Sequence, residues 1–234
     1  MGYPQSSTGL RWQSKELSAA LASDTNIRVP LPVTFAANLS EIARAENVLE
    51  RIFYYSITVL FLCAKALQWC NNESGPHVRA VEDWVQIIGE LSEWYNNRPQ
   101  EFHPMLELGT NSPRENFPVV LFSHGAGVFG NQLYHTAMLL LIQAKPRTAR
   151  LVNYQPAIMS PLWHARQICS IALNNDRREC WDLSLLASFL VAARRMTHES
   201  QHNEILNGFD RIRALTGWNI HEYLRPLREE WCSI

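Results

Sequence analysis

Apolar residues recur three and four positions apart along most of the chain, a spacing that is typical of amphipathic helices. Alternation with a period of two, which would indicate strands, is nearly absent. The pattern therefore predicts an all-α fold, in which short connections place antiparallel helices side by side in a multi-helix bundle or array. The clearest stripes are Val81, Trp84, Val85, Ile88, Leu91 and Tyr95; Leu183, Leu186, Phe189, Leu190 and Ala193; and Ile205, Phe209, Ile212 and Leu215.

Residues with known capping preferences mark several helix ends. Ser160 followed by Pro161 is an N-cap with a proline at the first helical position, which predicts a helix start. Gly217 is a candidate for the left-handed residue that ends a helix. Asn219 with Glu222 forms a capping-box pattern, which predicts the beginning of the last helix.

The N-terminal part of the chain differs from the rest. Residues 1–38 show little periodicity, so we expect a loose leader there and a helical domain over residues 39–234. Ser40 is a suitable N-cap for a helix that begins at Glu41 and runs to about Trp69.

Size, charge and hydropathy exclude several classes of protein. The chain has 234 residues, of which 47% are hydrophobic, enough for a sizeable core. Its formal net charge is -1 and it has no basic stripe, which argues against direct nucleic-acid binding by this chain alone. The most apolar run, Ile52 to Ala64, is shorter than the about 20 residues that cross a bilayer. We therefore expect a buried core helix there and no membrane partner.

The cysteines and the first residues bear on the cellular compartment. The five cysteines are scattered and form no CxxC pair, which argues against a disulfide framework and a cysteine-built zinc site. The opening MGYPQSSTGL lacks the apolar segment of a secretory signal. Both features favour a reducing compartment.

A glycine-rich segment, FPVVLFSHGAGVFGNQLYHTAMLLL, resembles two catalytic motifs. Gly125, Gly127 and Gly130 match the GxGxxG of a dinucleotide-binding turn, but the ribose-binding carboxylate expected about 20 residues later is missing. The FSHGAG stretch is similar to the oxyanion strand of some α/β-hydrolases, yet no GxSxG nucleophile motif occurs. We favour a helix, or two helices that meet at small residues, with no cofactor bound.

The segment His198-Glu199-Ser200-Gln201-His202 is a literal HExxH motif. On a helix its two histidines would share one face and could bind Zn²⁺, with Glu199 as general base. Its polar neighbours instead favour an exposed segment near a helix start, with Thr197 as a candidate cap. We therefore predict no metal site and no catalytic residue here. A zinc-dependent hydrolase that uses His198 and His202 remains the alternative function.

An ordered set of segments resembles the fungal-specific transcription factor domain, the helical regulatory region of binuclear zinc-cluster (Zn₂Cys₆) regulators. The segments are WVQIIGELSEWYNNRPQEFHPM, a Trp-rich helix that runs into an Arg-Pro turn, then FPVVLF, GNQLYHTAMLLLIQAKPR, SPLWHARQICSIAL and TGWNIHEYLRPLREEW. The resemblance spans about residues 41–234. It implies an all-helical fold, a nuclear location, a role in transcription regulation and no enzymatic activity. The six closely spaced cysteines of the zinc cluster are absent from this chain.

The resemblance leads to a functional hypothesis, a regulatory or effector domain of a transcription regulator. Such a domain would act through co-regulators, a second copy of itself or a small effector, without a cofactor and without contacting DNA itself. A pocket is expected in the apolar stretch from Phe117 to Leu173, with Tyr134, His135 and Trp163 as candidate lining residues; the alternative is that these three are ordinary core residues. His135 and His164 are each expected to be core histidines with one hydrogen bond.

Overall fold

The computed structural model describes residues 47–71, 77–109, 117–149 and 158–232, with side chains for all of these except 77–80. The described helices are α1 (Val48–Asn71), α2 (His77–Asn97), α3 (Gly125–Gln143), α4 (Pro161–Asn174), α5 (Leu183–Ala193), α6 (Glu199–Thr216) and α7 (His221–Cys232). Two short 3₁₀ helices cover Gln100–Phe102 and Arg178–Cys180. The expected leader, the Ser40 cap and the helix start at Glu41 lie outside the described residues.

Helix packing dominates the architecture, so the predicted all-α class is confirmed. Helix α3 lies at the centre and contacts α1, α2, α4 and α5. Most of its residues are buried, because most of its side chains are apolar and polar ones such as Asn131 and Gln132 form hydrogen bonds inside the protein. Helices α1 and α2 run antiparallel. The Trp94 indole donates to the Tyr55 carbonyl, and Lys65, which is later in α1, pairs with Glu90, which is earlier in α2.

A small β-hairpin interrupts the helices. Strands β1 (Leu106–Leu108) and β2 (Val119–Leu121) pair antiparallel, with Leu106 opposite Leu121 and Leu108 opposite Val119. The expectation that the whole block from Phe117 is helical is therefore wrong for β2. Three residues are too few to produce a visible period-two pattern, so the sequence carried no signal for this pair.

The glycines after β2 permit close packing, as expected. A Cβ atom on Gly127 would lie 2.7 Å from the Phe122 ring, and one on Gly130 would lie 2.8 Å from the Phe102 ring. Any side chain at either position would push an aromatic ring out of the core. The motif therefore serves the junction between the hairpin and α3.

The predicted caps form at two helix ends. Ser160 Oγ accepts a hydrogen bond from the Trp163 amide at 3.2 Å, and Gly217 ends α6 with a φ of 76°. At the start of α7 the Asn219 side chain accepts from the His221 amide at 3.4 Å. The reciprocal Glu222 bond of a full capping box does not form among the described residues.

Helix α1 is buried on one face only, so the expectation of a buried core helix is wrong for its other face. Leu49, Phe53, Ile57 and Phe61 follow one another at intervals of four and are exposed, Phe53 by 67%. The opposite face, which includes Val59 and Cys63, packs in the core. Among the described helices, only α1 is long and apolar enough to cross a membrane by length and composition, a property it shares with core helices of soluble proteins.

Candidate functional site

A small polar cavity lies where the end of α2, the hairpin, α3 and α4 meet. It offers about 20 Å³ to the centre of a water-sized molecule. Space for one such centre requires about 10–15 Å³, so the cavity holds a water or a few non-hydrogen atoms. Its polar lining comes from four separate elements: Tyr95, Arg98, Glu107, Asn131, His135 and Gln167.

A buried histidine pair lies at the cavity, and one of its members, His135, lines it. His135 Nδ1 and His164 Nδ1 are 2.9 Å apart, and His164 Nε2 lies 2.8 Å from the Ile158 carbonyl oxygen. A carbonyl only accepts, so His164 Nε2 carries the proton and donates it there. In the neutral ring His164 Nδ1 must then accept, and His135 Nδ1 donates. This chain of bonds leaves the His135 Nε2 with a lone pair.

Burial keeps both rings neutral. The pKa of His135 is held well below its usual range by burial, with further lowering from His164 and Arg98 nearby. Burial lowers the pKa of His164 to about 4, although the hydrogen bond to Ile158 acts in the opposite direction. Both imidazoles are therefore neutral, as the assignment of one donor and one acceptor to each ring requires.

Gln167 adds an unpaired amide to the same cavity. Its side chain is only 8% exposed, yet it makes no hydrogen bond to any described residue. Neither amide atom is among the fully buried unpaired atoms of the described residues, so water in the cavity can reach the amide.

Arg98 stands at the outer side of the cavity. Its guanidinium carbon lies 3.5 Å from the centroid of the Tyr95 ring, and Nη1 donates to the Tyr95 carbonyl. Its Nε is buried and has no partner in the described part of the chain. Burial lowers the pKa of this guanidinium, and Tyr95, Tyr134 and Glu107 nearby act in the opposite direction. Arg98 therefore brings a positive charge to the edge of the cavity, with Glu107 near enough to act on it electrostatically, while its Nε is enclosed by the protein.

Asn131 holds the cavity floor in place through its amide nitrogen. Its amide nitrogen donates to the Phe102 carbonyl at 2.7 Å and to the Gly127 carbonyl at 2.8 Å. These bonds join the 3₁₀ segment to α3, directly beside the close contacts of the glycines. The cavity floor is therefore formed by the 3₁₀ segment, α3 and the end of the hairpin, which pack together and are joined by these hydrogen bonds.

Of the three predicted pocket residues, only His135 lines the cavity. Tyr134 stacks on Tyr95 with a ring separation of 4.2 Å, and Trp163 packs edge-on against His135 at 5.2 Å. Both rings pack against residues that line the cavity but do not line it themselves. The prediction of core histidines with one hydrogen bond each is confirmed for His135, whereas His164 makes two, to His135 and to the Ile158 carbonyl.

Sequence reasoning missed Arg98 and Gln167. Arg98 was interpreted only as part of the Arg-Pro helix end. Gln167 lies one turn from His164 and one turn from Ile171 on the same face of α4, a face that is otherwise core. A polar residue on the buried face of an amphipathic helix is a signal that could have identified it.

The HExxH segment has a different geometry from the one that a zinc site requires. His198 is the N-cap of α6, with its ring nitrogen accepting from the Ser200 amide, so Thr197 is not the cap. His202 bonds to the Met196 carbonyl at 2.7 Å and stacks on Trp231 at 3.8 Å. The two histidines therefore do not share a helix face. No group of three metal-ligating side chains occurs among the described residues.

The GxGxxG segment does lie between a strand and a helix, as a dinucleotide turn would. Its strand, however, pairs only with β1, and that pairing is antiparallel. The described residues contain no parallel strands, so the crevice of a dinucleotide-binding sheet is not formed there.

Comparisons with known proteins do not identify the chain. No protein-family model matches it, and neither a curated protein nor a solved structure does. The resemblance to the fungal-specific transcription factor domain therefore stays a prediction from the sequence.

Proposed function

We propose that this chain is the regulatory domain of a transcription regulator and that it responds to a small effector bound in the cavity around His135. It acts in the nucleus through co-regulators or a second copy of itself. It does not contact DNA directly, and it is not an enzyme. The transcriptional part of the proposal rests on the ordered set of family-like segments in the sequence.

The observation that supports effector binding is the convergence of polar side chains from three elements on one cavity. Arg98, His135 and Gln167 all line it, and the Arg98 Nε is buried without a partner in the described part of the chain. Polar groups that converge on a cavity in an apolar core favour a binding role.

The position of the cavity suits regulation. Its walls come from α2, the hairpin, α3 and α4, so a bound molecule would add contacts that connect all four elements. A ligand shifts a conformational equilibrium by the difference between its affinities for the two states. A molecule that connects four elements favours the packing in which all four are closed around it.

The surroundings of the histidine pair favour binding over catalysis. A general base normally needs a nucleophile or an orienting carboxylate within hydrogen-bond reach. His135 instead bonds to His164, and His164 bonds to a backbone carbonyl. These two hydrogen bonds fix the tautomer of both rings.

A tethering experiment tests the proposal. The full chain is fused to a foreign DNA-binding domain and compared, in a reporter strain, with the Gln167→Met variant. The matched control is Gln68→Met, since Gln68 is exposed on α1. We expect the fusion to change transcription, Gln167→Met to alter that response, and Gln68→Met to leave it intact. A well-expressed nuclear fusion that is inert under varied growth conditions would count against the proposal.

A further inference from the structure

The outer face of α1 carries large apolar side chains that are exposed. Leu49, Phe53, Ile57 and Phe61 are 74%, 67%, 37% and 40% exposed. We infer that this outer face is an interface between two copies of the chain, in which two α1 helices pack antiparallel about a two-fold axis near Thr58. The inference names a surface for the second copy that the proposed function allows, and it rests on that function only for its biological purpose.

The inner face of α1 holds the helix to the rest of the protein. Val59, Cys63 and Ala66 are fully buried, and the helix contacts both α2 and α3. Because half of its circumference lies in the core, α1 stays on the protein and presents the other half outward. A partner can therefore cover the outer face, whereas lipid cannot surround the helix while the fold is intact.

The size of the outer face suits a weak dimer. Its four large apolar residues expose roughly 400 Å² per chain, if the whole surface of each is about 150–200 Å². Leu60 and Ala64 on the same face add to this area. Two copies together would bury about 1,000 Å², which lies at the lower end of specific interfaces. We therefore expect a dissociation constant of about 1–100 µM.

The outer face changes in shape along its length, which makes it complementary to itself. The most exposed side chains, Leu49 and Phe53, lie in its N-terminal half, whereas the small Ala64 lies in its C-terminal half. A two-fold axis reverses the direction of the second helix, so each bulky end meets the small end of the other copy. In this register Phe53 lies opposite Ala64 of the second copy. Ile57 and Leu60 then meet close to the axis.

The charges on α1 favour a second copy over a membrane surface. Helices that lie on membranes carry several lysines or arginines beside their apolar face. From Ile52 to Ala64 this helix has no charged residue. Its two basic residues, Arg51 and Lys65, pair with Glu101 and Glu90 of the same chain. The helix therefore offers little attraction to lipid headgroups, and the middle of its outer face carries no charge that would repel a second copy.

Sedimentation velocity of the full chain at about 1–100 µM provides the test, and we expect a reversible equilibrium between monomer and dimer in this range. Phe53→Glu places a charge in the interface and should weaken the dimer at least about tenfold, while Phe53→Leu should retain it. The matched control is Leu162→Glu, which introduces the same charge at an exposed leucine of α4 and should have no effect. A chain that stays monomeric at about 100 µM, or a dimer that Phe53→Glu does not weaken, would overturn the inference.

Disulfide cross-linking tests the antiparallel arrangement. In a Cys232→Ser background, which removes an exposed thiol, Ile57→Cys should give a covalent dimer because both copies of residue 57 lie near the axis. The two copies of residue 49 would lie more than about 25 Å apart along the helices, whereas a disulfide joins Cα atoms within about 7 Å. Leu49→Cys should therefore not cross-link. Equal cross-linking of both variants would indicate a parallel pair and overturn the proposed arrangement.

Two further results would assign the outer face to another occupant. A monomer that co-sediments with phosphatidylcholine vesicles, and loses this binding in Phe53→Glu, would assign the face to a membrane surface. A monomer in which Phe53→Glu lowers the midpoint of thermal unfolding, while Leu162→Glu does not, would show that part of the same chain covers the face. Either result would overturn the pairing of two copies.

The two proposals fail in different ways. A dimer that forms through α1, in a fusion that gives no reporter response, would retain the interface and reject the regulatory function. A monomeric chain whose reporter response is the same in Phe53→Glu would reject the interface and retain regulation through a co-regulator or an effector.

Discussion

Two pairs of histidines in this chain show opposite relations between sequence signal and structure. His198 and His202 form a recognisable motif, yet one caps a helix and the other stacks on Trp231 at the surface. His135 and His164 are 29 residues apart and match no motif, yet their ring nitrogens are 2.9 Å apart in the core. The pair with the weaker sequence signal is the one that forms a direct bond, and its member His135 lines a cavity.

The difference has a physical origin. Spacing along the chain places two side chains on one helix face only if both residues are helical. His198 has extended backbone angles, with φ -96° and ψ 134°, so the spacing argument fails at that residue. His135 and His164 meet because α3 and α4 pack together, which no local pattern encodes.

Acid should affect the buried pair most strongly. Burial lowers the folded-state pKa of His135 and His164 below the unfolded value of about 6.5, so the unfolded chain binds more protons below that pH. Their stabilising contribution is complete above about pH 6.5 and is lost as the pH falls towards 4. We expect a loss of about 4 kcal/mol between pH 6.5 and 4.5, measured by urea unfolding.

A double variant tests whether the histidine pair causes that loss. His135→Phe combined with His164→Phe should flatten most of the dependence on pH. His198→Gln combined with His202→Gln should retain it, because the core pair is unchanged. The same slope in both double variants would show that other groups control the acid sensitivity.

Replacing His164 alone should lower the free energy of unfolding more than replacing both histidines of the buried pair. His164→Phe leaves the His135 Nδ1–H buried without an acceptor, for which we expect a loss of about 3 kcal/mol in the free energy of unfolding. Adding His135→Phe removes that stranded donor and should restore about 1 kcal/mol. Additive losses in this double-mutant cycle would contradict a direct bond between the rings.

At the surface, Trp231 should contribute more to the stability of the protein than His202, the residue on which it stacks. Trp231 is half-buried, stacks on His202 and donates from its indole to the Ala193 carbonyl at 3.2 Å. We expect Trp231→Ala to cost about 2 kcal/mol, less than truncation of a fully buried tryptophan. His202→Ala should cost about 1 kcal/mol. Thermal unfolding of both variants gives the comparison.

The smallest effects belong to the HExxH motif itself. His198→Ala removes a cap and should cost about 0.5–1 kcal/mol, while exposed Glu199→Gln should be close to neutral. Metal analysis of the purified chain should find no stoichiometric zinc. One zinc per chain that disappears in His198→Ala would instead support the zinc-dependent hydrolase.

The sequence predicted those parts of the structure that depend on neighbouring residues. The Ser160 cap, the left-handed Gly217 and the helical stripes all arise from interactions within a few positions. The hairpin was missed because each strand has only three residues, and its pairing partner lies beyond a connection of ten positions. Short non-local pairings leave almost no periodic trace.

Apolar content also failed to distinguish an enclosed helix from a half-exposed one. Both α1 and α3 are rich in apolar residues, and of the two only α3 is enclosed over most of its surface. In α1 the aromatic residues divide between the two faces: Tyr54 and Tyr55 are buried, whereas Phe53 and Phe61 are exposed. Burial depends on which neighbours surround a helix, and composition does not specify them.

The sequence by itself determined the helical class, most helix ends and the presence of polar residues inside apolar helices. Tertiary packing decided which of those polar residues meet. Arg98, His135 and Gln167 lie on three different elements, and only the packing of α2, α3 and α4 around the hairpin makes them line one cavity. Helix formation follows from hydrogen bonds and side-chain spacing over a few residues, whereas a binding site depends on contacts between residues that are distant in the chain.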